Sequence, residues 1–183
     1  MNRQDEDFAI RFLKSHELQP KRYPGKDSKR NQNTPDFRVS DSNGYFFYCE
    51  LKSVKNDKES DGKLHSTTHN NLTKKIHKAA EQFRSVNSKH LVPNVLVWFS
   101  HDCRINDQNL RDLLDGRIKI NGKPLKSLHP YRYGRTNQDF KEIDLHIWLY
   151  PWGEPVYVFT PCFDFDTTIK LCRIFDIYNV KRL

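Results

Sequence analysis

Two carboxylates and one ammonium stand out in the stretch TPDFRVSDSNGYFFYCELKS, Thr34 to Ser53. Asp36 follows Pro35 directly, and Glu50 and Lys52 sit two apart inside an otherwise apolar run. Side chains alternate along a strand, so Tyr48, Glu50 and Lys52 share one face while Phe47, Cys49 and Leu51 share the other. The apolar face must look into the core, which predicts Glu50 and Lys52 side by side and facing away from it. If Asp36 opens a partner strand, a hairpin brings its carboxylate to the end of the sheet that holds Glu50. Such a pair of hard oxygen donors suits magnesium, which is usually held by one or two carboxylates together with waters and substrate phosphate. A cation there polarises a phosphoryl oxygen and acidifies a bound water, while Lys52 steadies the attacking hydroxide or the charge developing on phosphorus. The chemistry implied is phosphodiester hydrolysis. Each half of the pattern has a plainer meaning alone, since Glu-x-Lys on a strand is often a surface ion pair and Pro-Asp often starts a turn. Their joint occurrence, in this order and on these elements, is the informative observation.

The elements that must position these residues are readable from periodicity. Phe8, Ala9, Phe12 and Leu13 recur at helical spacing from Gln4 to about Glu17, ahead of the breaker Pro20. The basic, polar segment Lys21 to Asn33 reads as a loop with at most a short strand near Tyr23. Phe37 and Val39 alternate with polar residues, Ser42-Asn43-Gly44 supplies a turn, and Tyr45 to Val54 reads as a long second strand, giving a hairpin. Lys55 to Asn71 is too polar for core and is expected to be a loop. Leu72, Ile76, Ala79, Ala80 and Phe83 mark a second helix, and NVLVWF, Asn94 to Phe99, is an apolar run of the kind found in buried strands. A short helix over Asp107 to Leu114 follows. A hairpin is expected within Arg117 to Leu125 around Asn121-Gly122, with strands over Ile143 to Leu149 and Val156 to Thr160.

With 183 residues, the chain is expected to form a single domain over 1–183. Lys and Arg total 31 against 23 Asp and Glu, a formal charge of +8 with a sequence pI of about 9.3, which favours polyanionic partners, nucleic acid first. No apolar run is long enough to span a membrane, and the N-terminus MNRQDEDFAIRF lacks the basic-then-apolar layout of a secretory signal, so a soluble cytoplasmic protein with no membrane partner is expected. Cys49, Cys103, Cys162 and Cys172 form no CxxC pair, which suits reduced core thiols rather than a disulfide frame or zinc ribbon.

Pro35-Asp36 followed by Glu50-Leu51-Lys52 resembles the PD-(D/E)XK nuclease superfamily, over roughly Gln4 to Ser100. The resemblance implies an α/β fold with a restriction-endonuclease-like core of helix, three strands, helix, strand and a mixed sheet, spanning about 4–100. Residues from about 101 to 183 then form a β-rich C-terminal extension. It implies a magnesium-dependent DNA endonuclease in which manganese can substitute, RNA not being excluded as a substrate. Asp36, Glu50, Lys52, Glu6 and Gln82 carry over as catalytic residues, with Asp36, Glu50, Leu51 and Glu6 around the metal. Asp5 rivals Glu6 as the helix-borne carboxylate, because it lies on the stripe of Phe8, Ala9 and Phe12. The pattern also calls for a first core strand between Leu18 and Thr34; either Gln19 to Tyr23 serves or the core is altered. A homodimer would let two such sites cut two strands.

Lys74, Lys75 and Lys78 on the second helix could track a phosphate backbone, and Arg132, Tyr133 and Arg135 interleave cations with an aromatic as a base-stacking surface does. A solvated helix face and an ordinary loop explain them equally well. His65 and His69 stand four apart, a zinc-compatible spacing on a helix, but their polar surroundings predict a loop and no third ligand is evident. His77 reads as a solvated helix residue, and His101-Asp102 as a turn at a strand end. Aromatics crowd Asp144 to Phe159, where strand-like alternation favours burial in a sheet extension or a homodimer interface. Two other functions fit the same residues: a nucleic-acid-binding module of this fold without activity, and a basic adaptor in which Glu50 and Lys52 merely pair.

Overall fold

The computed structural model describes residues 3–23, 33–54, 64–102, 104–114, 119–120, 123–124, 137–160 and 164–178, with the side chains of 64–67, 119–120 and 123–124 excepted. Its strands are β1 (Gln19–Arg22), β2 (Phe37–Ser40), β3 (Phe46–Val54), β4 (Asn94–Ser100), β5 (Lys119–Ile120), β6 (Lys123–Pro124), β7 (Leu145–Leu149) and β8 (Val156–Phe159). The helices are α1 (Arg3–Ser15), α2 (Leu64–Val86), α3 (Asp107–Leu114), the short α4 (137–140) and α5 (Phe165–Ile174).

Six strands form one mixed sheet in the order β1-β2-β3-β4-β7-β8, while β5 and β6 pair separately as the hairpin expected around Asn121-Gly122. The pairs β1/β2, β2/β3 and β7/β8 are antiparallel; β3/β4 and β4/β7 are parallel. A parallel pair needs a crossover, and α2 supplies it between β3 and β4. The sheet is therefore covered on both faces. On one, α1 and α5 meet Phe47, Cys49, Leu51, Val95, Val97, Phe99, Leu145 and Ile147 through Ala9, Leu13, Leu171 and Phe175. On the other, α2, α3 and α4 meet Leu96, Trp98 and Trp148 through Leu72, Ile76, Phe83, Leu110 and Phe140. Trp98 and Trp148 stack with centroids 5.4 Å apart, worth about 0.5–1.5 kcal/mol beyond their burial.

The structure corrects one expectation about elements, decides a second that stood open, and adds to a third. The segment expected to be a loop up to Asn71 is helical from Leu64, because the buried Leu72, Ile76 and Phe83 anchor a helix whose first two turns run on through polar residues. Pairing with β2 makes Gln19–Arg22 a true strand despite a sequence that carries no apolar alternation. The chain after residue 100 does more than extend the edge of a finished core: β7 lies directly against β4, and α5 closes the face shared with α1.

Candidate active site

Asp36 immediately precedes β2, and the register Phe37↔Cys49 sets it opposite Glu50 of β3. The two strands hold each other's carboxylates. The Asp36 N–H donates to Glu50 Oε2 at 2.9 Å, and the Leu51 N–H donates to Asp36 Oδ2 at 2.8 Å. Ionised acceptors make these bonds stronger than neutral ones, so the hairpin register and the carboxylate positions stabilise one another. The convergence expected from the hairpin is thus what the structure contains. Leu51 buries its side chain in the core under α1, so it meets the site only through its backbone.

Glu50 and Lys52 share a face, as alternation requires, but at these two residues that face is not open to solvent. The crossover helix α2 covers it, and the side chains of Lys52 and Glu50 are only 12% and 3% exposed. Lys52 Nζ lies 2.5 Å from Glu50 Oε1 and donates to Gln82 Oε1 at 3.0 Å. Gln82, itself buried, donates through Nε2 to the Thr34 carbonyl at 3.0 Å, and Ser85 Oγ donates to the Asn33 carbonyl at 2.8 Å. Helix α2 therefore orients the lysine and fixes the chain leading into Asp36. A buried ion pair pays for desolvation only when further hydrogen bonds satisfy both charges, and Gln82 with the Asp36 amide supplies them.

On the opposite face of the same strand end lies a second polar cluster. Asp5 opens the buried stripe Asp5, Ala9, Leu13 of α1, and accepts from Ser53 Oγ at 2.5 Å while its Oδ1 lies 2.7 Å from His101 Nε2. Ser53 follows Lys52, and His101 follows the last residue of β4, so Lys52 and the second cluster stand toward the carboxyl edge of the parallel β3/β4 pair, while Glu50 is opposite Leu96 in mid-strand. Ligand sites in open α/β sheets favour that edge. Glu6, one position round the helix, instead pairs with Arg22 of β1. The Asp5–Ser53–His101 contact escaped the sequence; its available signal was the placement of Asp5 four and eight residues ahead of Ala9 and Leu13.

The remaining expected residues are dispersed. Lys74 and Lys78 are exposed on α2 and Lys75 is half-buried there, whereas Arg132, Tyr133 and Arg135 lie outside the described residues. His65 and His69 both fall on α2, with His69 buried and the His65 side chain outside the described set. His77, expected to be solvated, bridges Asp139 of α4 and Glu81. Among the described residues, no group of three or more His, Cys, Asp or Glu is arranged to hold a metal, so a cation here would rest on Asp36 and Glu50. Two carboxylates completed by water and phosphate oxygens fit the habit of magnesium.

Comparison with family models, with curated proteins and with solved structures finds no significant match for this chain. Among the described residues no helix is long and apolar enough to cross a membrane.

Proposed function

We propose that the protein is a magnesium-dependent endonuclease that hydrolyses phosphodiester bonds in DNA. The observation that carries this reading is the reciprocal pairing of Asp36 and Glu50 across β2 and β3, with Lys52 beside them and held by Gln82. Asp36 and Glu50 hold the cation, and manganese can replace magnesium because both accept oxygen donors. When bound, the metal supplies charge neutralisation at a phosphoryl oxygen and a more acidic water.

Lys52 places a positive charge next to the same carboxylates, where negative charge grows on the phosphoryl oxygens in the transition state. Gln82 would hold the Lys52 ammonium in position beside a cation held by Asp36 and Glu50. Of the two helix carboxylates, Asp5 is favoured over Glu6 as the partner from α1, since Asp5 reaches β3 whereas Glu6 is engaged by Arg22. The formal charge of +8 supplies attraction to the phosphate backbone.

Incubation with supercoiled plasmid, branched DNA and RNA, in magnesium and in chelator, tests the proposal. Cleavage of DNA only with the metal is expected. Asp36→Ala and Lys52→Ala should each reduce it by about 100-fold or more, in line with the loss of electrostatic groups at other active sites, while DNA binding in chelator persists. Wild-type rates in either variant would remove the mechanism. A wild-type protein that binds DNA yet cuts no substrate would favour the inactive binding module.

A further inference from the structure

The sheet face next to the Asp36–Glu50 pair carries a second pattern. Because β1, β2 and β3 are in register, Lys21, Arg38 and Tyr48 form one row across the three strands. The adjacent row is Tyr23, Asp36 and Glu50: the Tyr23 N–H donates to the Asp36 carbonyl at 3.0 Å, and Asp36 faces Glu50. Phe46 lies beyond Tyr48 on the same face. Tyr23 and Tyr48 meet edge to face at 5.9 Å, Phe46 and Tyr48 do likewise at 5.9 Å, and the Arg38 guanidinium sits 3.9 Å over the Phe46 ring.

These aromatics are only half-buried, and Lys21 and Arg38 are exposed, with no carboxylate among the described residues pairing with either. Exposed cations interleaved with accessible rings, on a sheet surface, are the combination that binds unpaired nucleotides: rings stack on bases and cations meet phosphates. A duplex offers its phosphates but keeps its base faces stacked internally, so it cannot use the rings.

We infer that Lys21, Tyr23, Arg38, Phe46 and Tyr48 form a docking face for single-stranded DNA, which feeds an unpaired strand to the Asp36–Glu50–Lys52 site. The inference rests on the proposed nuclease reading for its functional meaning, but not for its test. Tyr23 lies in the carboxylates' own row, and the row of Lys21, Arg38 and Tyr48 is next to it, a step of about 7 Å for two residues along a strand, comparable to the spacing of successive nucleotides in an extended strand. A base stacked on Tyr48 or Tyr23 thus leaves a neighbouring phosphate beside Asp36, the half-buried member of the carboxylate pair. Substrates with unpaired segments, such as flaps, gaps and branched junctions, satisfy this requirement.

Binding measured in chelator separates this inference from catalysis. Fluorescence anisotropy of the full chain would be recorded with a labelled oligo-dT strand, a blunt duplex of equal length and an oligo-U strand. The oligo-dT strand is expected to bind at least about tenfold tighter than the duplex and tighter than oligo-U. Tyr48→Leu keeps apolar packing but loses the ring face, and should weaken oligo-dT binding by about 5- to 100-fold with little change for duplex. Arg38→Gln and Lys21→Gln, both at exposed positions, should each lower the salt dependence of oligo-dT binding by about 0.7 in log–log slope. Equal or tighter binding of duplex, preference for oligo-U, or wild-type affinity and salt dependence in Arg38→Gln and Lys21→Gln would overturn the inference, whether or not the wild type cuts DNA. Loss of cleavage in Asp36→Ala with this binding pattern unchanged would leave both readings standing.

Discussion

The two carboxylates at the start of α1 differ by one position and have unlike environments. Asp5 is buried and bonded to Ser53 and lies 2.7 Å from His101, so removing it takes a partner from Ser53 on β3 and from His101 just after β4. Glu6 pairs with Arg22, whose side chain is half exposed, and such pairs contribute about 0–1 kcal/mol. Asp5→Ala is therefore expected to cost about 1–3 kcal/mol in urea unfolding and to lower cleavage, whereas Glu6→Ala should cost under about 1 kcal/mol and leave cleavage near wild type. The reverse ranking in the two assays would assign the helix contribution to Glu6. At this scale, Asp36, Glu50 and Lys52 were legible because alternation and hairpin pairing are local rules. Gln82 was legible as a helix position, though its bond to the Thr34 carbonyl was not. The Asp5–His101 contact joins residues 96 apart, and nothing local in either segment encodes it.

Helix α1 delivers Asp5 to the sheet because its far end is firmly terminated. Leu18 N–H bonds to the Leu13 carbonyl at 3.2 Å and Glu17 N–H to the Lys14 carbonyl at 3.0 Å, a Schellman closure. Glu17 takes the position that this closure reserves for a left-handed residue, with φ 59°, although its side chain disfavours that conformation. Glu17→Gly should consequently raise stability by about 1 kcal/mol, read as a higher urea midpoint with an unchanged slope and unchanged cleavage. No gain would mean that the glutamate makes compensating contacts. The same contrast between local and tertiary causes explains which elements could be read. α1, the β2–β3 hairpin and β4 carry their burial pattern in their own residues. β1 exists only because β2 offers it a hydrogen-bonding edge, and the first turns of α2 exist only because the later turns are anchored in the core. The closed face over Glu50 and Lys52 follows from parallel pairing of β3 with β4, which a strand's own alternation does not reveal.

Across the whole molecule, two histidines respond to pH with opposite sign, His146 wholly buried in the core under α2 and His90 half-buried just ahead of β4. His146 lies wholly buried against Trp98 and Phe140, and its Nδ1 accepts the Trp98 Nε1–H at 3.1 Å, which leaves the ring proton on Nε2. Burial disfavours the charged ring and pushes its pKa down to about 3 from 6.5. The unfolded chain therefore takes up a proton near pH 6.5 that the folded chain refuses, so stability is full above that pH and falls by roughly 1.4 kcal/mol per pH unit below it. His90 behaves oppositely: its hydrogen bond to Asp144 raises its pKa against the effect of burial, so its contribution is present in acid and is lost as pH rises through that raised value. Together they favour a stability maximum close to the ordinary histidine range. His146→Gln keeps an acceptor for the Trp98 N–H without a titrating ring. Melting temperatures of wild type and His146→Gln, followed from about pH 7 to pH 5, should diverge in slope, the variant losing roughly 2 kcal/mol less over that window before the carboxylates begin to titrate. Parallel acid limbs in the two proteins would show that the His146 ring is charged within the folded core, and that the tryptophan-lined core under α2 admits more water than its packing implies.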